Sequence, residues 1–257
     1  MDFNKAKIAF EEYVRDYDLN DGKVQLKLLH TYEVIKFSEL IAKELGLREE
    51  EIELAKIIAI LHDIGRFEQA KKFDDFVDHK TMDHADFGAE ILFEEGLIRK
   101  FIETDIYDNI IAKAIINHNK YIVEDGLTEK EMLHTKIIRD ADKTDNFRVK
   151  ATDSLLDIAN IEESIMITQP ITDEIFNDFM NHQTIISSKR ITHMDMWVSY
   201  IAFVFDYNFN PGLKYIKDNN YVNVLVDRFE YQNEDTKQKM EQIRKCVNDY
   251  VNQRLSR

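Results

Sequence analysis

Helix breakers are scarce in this chain: its 257 residues include seven glycines and two prolines, Pro170 and Pro211. A β-sandwich or barrel needs a turn roughly every 8–12 residues, so the shortage excludes an all-β architecture and favours long helices. Cysteine occurs once, at Cys246. That excludes an intrachain disulfide and any cysteine-based zinc motif, and fits a half-buried helical thiol in a reducing compartment. No apolar run approaches the ~18 residues of a membrane span. Positive charge is in deficit, with 34 Lys and Arg against 49 Asp and Glu, a net charge of -15. Proteins that dock on nucleic acid show a basic face, so neither a nucleic-acid platform nor a membrane partner is expected. Anionic small molecules stay within reach, because bound divalent cations reverse the local field. The opening Met1-Asp2-Phe3-Asn4-Lys5 leads into a charged amphipathic segment rather than a secretory leader, and a cytoplasmic location is expected.

Apolar residues make up 44% of the chain and charged residues 32%, enough apolar material for a core. The spacing of the apolar positions predicts helices over about 2–17, 23–45 and 49–63, the second closed by Gly46. The run Ile57-Ile58-Ala59-Ile60-Leu61 is apolar on every side, so its helix should be the most buried. Residues 66–82 read as a loop of mixed charge. Asp83 then caps a helix to Glu95 before Gly96, and another follows over 105–118. Thr128-Glu129-Lys130-Glu131 has the form of a capping box and starts a helix to about Lys150. Further helices are expected over 174–180, 185–206 and 234–257, with a turn at 207–212. There is no repeat and no linker rich in Pro, Gly or Ser. The simplest account is one all-α domain over 1–257, with a core at about 20–150 and a C-terminal helical extension from about 160.

Of the eight histidines, His30, His62, His84 and His118 sit in apolar helical contexts, whereas His79, His134, His182 and His193 have polar or loop-like neighbours. His62-Asp63 ends the most apolar helix, where a carboxylate is costly unless it is paired or binds a metal. Gly65 then lets the chain leave tightly. Asp142 lies one helical turn after Ile138 and can point with it into the core, while Asp140 reads as a solvated charge. Imidazoles and carboxylates brought from several helices are a standard way to hold a divalent transition metal.

This pattern resembles the HD-domain metal-dependent phosphohydrolases: a histidine, a His-Asp doublet and a distal aspartate, each borne by a helix of an all-α core. Here these are His30, His62-Asp63 in Leu61-His62-Asp63-Ile64-Gly65-Arg66, and Asp142 in Ala141-Asp142-Lys143. A subset of the family has two further histidines that bind a second ion, and His84 and His118 stand in those places. The resemblance covers about residues 20–150. It implies hydrolysis of a small phosphate ester, such as a nucleotide, by metal-activated water, with one or two ions per chain and Asp63 as the bridging carboxylate. The expected metal ligands are therefore His30, His62, Asp63, His84, His118 and Asp142. No protein nucleophile is needed, in keeping with the lack of a nucleophile elbow or Cys-His motif. A shell rich in imidazole favours Mn, Fe, Co, Ni or Zn over Mg. Arg66, three residues past Asp63, is the first candidate to grip a phosphate, followed by Lys120 and Lys143. The Gly-Tyr-Pro element of the bacterial cyclic dinucleotide phosphodiesterases is missing, which argues against that substrate.

Two other classes share the fold: di-iron oxygenases with the same six-ligand pattern, and non-catalytic helical sensors or scaffolds. Iron and dioxygen dependence would mark the first and a missing ligand the second. All six positions are filled here.

Overall fold

The computed structural model describes residues 1–256; Arg257 and the side chain of His79 lie outside the described residues. The fold is all-α, with no strand among the described residues. Backbone contacts divide the chain into two compact units, Met1–Asp145 and Asn146–Arg257, with the division inside a helix rather than at a linker. Among the described residues no helix is long and apolar enough to cross a membrane.

The first unit contains α1 (Phe3–Val14), α2 (Gly22–Glu44), α3 (Glu49–Leu61), α4 (Ile64–Phe73), α5 (His84–Ala89), α6 (Ile98–Phe101), α7 (Asp108–Asn117) and the first part of α8 (Glu129–Thr152). As its apolar run predicts, α3 is the buried axis: Leu54, Ile57, Ile58, Ile60 and Leu61 are all at most 1% exposed. Helices α1, α2 and α7 pack around it. Truncating one such residue, as in Leu61→Ala, costs about 2–5 kcal/mol, so the element that delivers His62 and Asp63 is anchored firmly. Local signals set the ends. Asp21 accepts from the amides of Lys23 and Val24 to start α2, and Gly46, at φ +68°, terminates it. The capping box at Thr128 is formed, its amide donating to Glu131 Oε2 and its hydroxyl accepting from the Glu131 amide.

The segment 66–82 differs from its reading as a loop, because residues 64–73 form α4. Its inward face consists of Ile64, Gly65, Phe67 and Gln69, and a buried glutamine hides the apolar stripe from a reading by periodicity. Only 74–82 is irregular, apart from one 3-10 turn at Asp78–Lys80.

The second unit is built from α9 (Leu155–Ala159), α10 (Glu163–Met166), α11 (Asp173–Met180), α12 (His193–Ile201), α13 (Asn210–Asp218), α14 (Tyr221–Val226) and α15 (Glu234–Leu255). The expected helix over 185–206 is shorter. A capping box between Thr192 and Asp195 starts α12 at His193, and a 3-10 turn at Ala202–Asp206 follows it. The expected turn at 207–212 ends early, with Pro211 in the first turn of α13, where its missing N–H costs nothing. Trp197 is fully buried, donates from Nε1 to the Leu225 carbonyl at 3.1 Å and packs edge-on against Phe229. It is a core residue. Cys246 is half-buried on α15, as expected.

Polar neighbours in sequence do not keep His134 at the surface. On α8 it is buried and its Nε2 lies 2.8 Å from Glu51 Oε2 of α3, whose other oxygen pairs with Lys130. Burial, only partly offset by Glu51, pushes the His134 imidazolium pKa down. Glu51 is also held low, because Lys130 and His134 outweigh the upward push of its burial. Both shifts have the same sign. The unfolded chain takes up protons that the folded chain resists, so this stability is present above about pH 6.5 and is lost as pH falls, first through His134 and then through Glu51. Urea melts at about pH 7.5 and pH 5 should show the loss, and His134→Gln should reduce the difference between them.

Candidate metal centre

Five structural elements bring the centre together. Helix α2 carries His30, and His62 caps the C-terminus of α3. Asp63 forms the corner between α3 and α4, with φ -106° and ψ 20°. His84 is the first residue of α5, fixed by Asp83, which accepts from the amides of Ala85 and Asp86. His118 caps the C-terminus of α7, and α8 supplies Asp142. Gly65 makes the corner possible: a Cβ there would lie 2.4 Å from the His84 carbonyl oxygen and 3.0 Å from the Gly88 amide nitrogen. Only glycine lets α4 and α5 approach this closely and seat His84 beside Asp63.

The two oxygens of Asp63 face different pairs of histidines. Oδ2 is 3.5 Å from His30 Nε2 and 3.5 Å from His62 Nε2. Oδ1 is 3.2 Å from His84 Nε2 and 3.7 Å from His118 Nε2. Asp142 Oδ1 lies on the first side, 3.0 Å from His30 Nε2 and 3.9 Å from His62 Nε2. The four rings and Asp63 are buried, whereas the Asp142 side chain is 19% exposed, so the cluster opens on the Asp142 side. The structure thus brings together all six residues expected to be ligands.

The outward nitrogens of these rings decide what the inward ones are. Nδ1 of His62 lies 2.7 Å from the Ala59 carbonyl and Nδ1 of His118 lies 2.6 Å from the Ile115 carbonyl. His30 Nδ1 meets Asp145 Oδ2 at 2.7 Å, and His84 Nδ1 meets Asp78 Oδ2 at 2.8 Å. Carbonyls and ionised carboxylates only accept, so each Nδ1 carries a proton, and a ring in its neutral form turns a bare Nε2 lone pair inward. Burial pushes the His62 pKa down to about 3, which keeps that ring neutral. Two consequences fit a metal ion. His62 Nε2 is buried without a hydrogen-bond partner, and His84 Nε2 faces His118 Nε2 at 3.1 Å with no proton between them in the neutral rings. Lone pairs and carboxylates converging in a buried space need a cation at their focus.

Burial alone would raise the Asp63 carboxyl, but the Lys27 ammonium at 2.7 Å holds it well below the usual range. Asp142 is likewise low, with its hydrogen bond from His30 outweighing burial. Both carboxylates are therefore ionised. Two groups, His30–His62–Asp63 and Asp63–His84–His118, each place their ligand atoms within 4.8 Å of one another and are compatible with a divalent ion. A third, Asp78–Asp83–His84, is as compact, but its carboxylates are already paired with Arg66 and Lys120.

Around these six stand residues that the sequence did not single out. Asp145 and Asp78 orient His30 and His84. The Lys27 ammonium is 2.7 Å from Asp63 Oδ2. A signal existed for two of them, since Lys27 lies one turn before His30 and Asp145 one turn after Asp142, on the faces that carry those residues. Asp78 lay in the segment read as a loop and carried no such signal.

The residues proposed from sequence to grip phosphate are already engaged. Arg66 Nη1 donates to Gln69 Oε1, the Phe76 carbonyl and Asp78 Oδ1, while its Nε stands 3.8 Å from Asp63 Oδ1. It braces Asp78, which in turn orients His84. Lys120 pairs with Asp83 at 2.8 Å and Asp86 at 2.9 Å. Lys143 is buried. Asp140 needs a correction: expected to be a solvated charge, it is fully buried, because this stretch of α8 is covered on every face and register alone does not select its inner side.

Residues 28–146 match the family model of the HD domain. This segment is an HD domain. The match spans every residue of the cluster from His30 to Asp145. No curated protein and no solved structure matches the chain.

Removing an outer partner of a ligating histidine typically costs about 10–100-fold in metal affinity. Asp145→Ala and Asp78→Ala in this HD domain should each weaken manganese binding by that factor in competition with a chelator. Asp140→Ala should instead lower folding stability by about 1–3 kcal/mol in a urea melt, as a buried polar group is lost from its partners.

Proposed function

We propose that this HD domain is a metal-dependent phosphohydrolase acting on a small phosphate mono- or diester, such as a nucleotide. The observation that supports it best is the division of Asp63, with one oxygen toward His30 and His62 and the other toward His84 and His118. That arrangement suits a carboxylate shared by two divalent ions, one held by His30, His62, Asp63 and Asp142 and the other by Asp63, His84 and His118. Ions held there would supply a hydroxide-like water at neutral pH and stabilise negative charge on phosphoryl oxygens.

The chain's own contribution is placement. Four Nδ1 hydrogen bonds lock the rings, so the inward nitrogens need no reorientation when a cation arrives. Burial of Asp63 and the imidazoles excludes bulk water and strengthens each electrostatic contact. Asp142, at the open edge, faces the incoming ester. The donor set, rich in imidazole, favours Mn, Fe, Co, Ni or Zn over Mg. The net charge of -15 argues against nucleic acid as the partner.

The direct test is metal content of protein purified without chelator, followed by hydrolysis of a generic phosphodiester and a panel of nucleoside phosphates with each metal. The expected result is about two transition ions per chain and phosphate release that depends on them. Asp63→Asn should abolish hydrolysis and ion retention while the helical circular dichroism persists. Iron-dependent oxygen consumption without hydrolysis would replace this reading with an oxygenase. Absence of any bound metal would remove both.

A further inference from the structure

We propose that Lys27 is the side chain that grips a phosphoryl oxygen of the substrate. The inference rests on the phosphohydrolase reading and assigns within it the anchoring cation. Lys27 lies one helical turn before His30 on α2, and its Nζ is 2.7 Å from Asp63 Oδ2. The same oxygen is 3.5 Å from both His30 Nε2 and His62 Nε2, so the ammonium borders the half of the centre that Asp142 opens to solvent. The Lys27 side chain is itself 14% exposed, against 3% for Asp63. Its head stands 5.3 Å from the centre of the Phe76 ring, which shields it on one side.

An ammonium has three N–H donors. Asp63 uses one, and among the described residues no second acceptor stands within hydrogen-bonding distance of Nζ. Of the other cations near the ligands, Arg66 spends Nη1 on Gln69, Phe76 and Asp78 and turns its Nε toward Asp63 at 3.8 Å, while Lys120 pairs with Asp83 and Asp86. Lys143 is buried and has partners of its own. Neutralising Asp63 would need only one of the Lys27 donors, and that need lapses once a divalent ion sits beside the carboxylate. Two donors then point from the edge of the centre toward whatever oxygen is bound there. Phosphate is the group whose charge and several oxygens suit them.

The test uses the full chain loaded with manganese, as wild type, Lys27→Met and Lys27→Arg, with Lys27→Gln in place of the methionine variant should that one not fold. The readouts are manganese per chain, the calorimetric Kd of inorganic phosphate, and kcat and KM on the ester found by the panel. Lys27→Met should keep the wild-type manganese content and bind phosphate about ten- to a hundredfold more weakly, as expected for loss of a hydrogen bond to a charged group. Its kcat/KM should fall by a similar factor, and Lys27→Arg should recover most of both. The metal-free Lys27→Met protein should also melt below the wild type, and manganese should close that gap, because Asp63 loses its neutralising partner only in the metal-free state. Phosphate binding and kcat/KM within about twofold of wild type would overturn the proposal, as would loss of manganese from a variant with intact helicity, which would make Lys27 a positioning residue for the ion. Hydrolysis by the wild type with an indifferent Lys27→Met sinks the Lys27 assignment alone. A loaded wild type that neither binds phosphate nor hydrolyses any ester sinks the parent reading as well.

Discussion

Asp63 is a carboxylate buried among the inward-facing nitrogens of four imidazoles. Everything around the centre follows from making that arrangement tolerable. A buried anion in an apolar setting costs several kcal/mol unless it is paired, and its nearest cation is the Lys27 ammonium at 2.7 Å, with Arg66 Nε farther off at 3.8 Å. In their neutral form the histidines cannot serve as donors to it, because their Nδ1 protons are committed to Ala59, Ile115, Asp78 and Asp145. The commitment outward is thus what creates the vacancy of charge inward, and a divalent cation answers it more completely than any rearrangement of protons.

The helices hold this arrangement with little freedom. Helix α3 is packed on all sides, so its C-terminus presents His62 and Asp63 at a fixed place, and the contact of α4 with α5 through Gly65 and Gly88 brings His84 to the opposite side of the same carboxylate. Arg139 reaches from α8 to the carbonyls of Asn117 and Lys120, at 2.8 and 2.6 Å, and steadies the chain around His118. Sites carried on packed helix ends lose little entropy on binding an ion, because the ordering was completed in folding.

Much of the fold and most of the centre were legible in the sequence, for identifiable reasons. Apolar all-round character marked α3, the capping box marked α8, and the resemblance carried by His30, His62-Asp63 and Asp142 marked the six residues that the structure gathers. Two things were not legible. The buried Gln69 disguised α4 as a loop, and with it Asp78, whose part depends on a turn that only the folded chain shows. The environment of α8 was also hidden: a helix covered on every face buries Asp140 and leaves Asp142 the more open, the reverse of what register suggests. The residues after Asn146 form a unit with its own core around Trp197, and no chemistry-bearing motif in their sequence points to a role.

The most direct measurement of the central claim is anomalous diffraction from crystals grown with manganese, recorded on both sides of the manganese absorption edge. The account predicts two peaks flanking Asp63, one within bonding distance of His30, His62 and Asp142 and the other of His84 and His118. A single peak, or none beside Asp63, would contradict it.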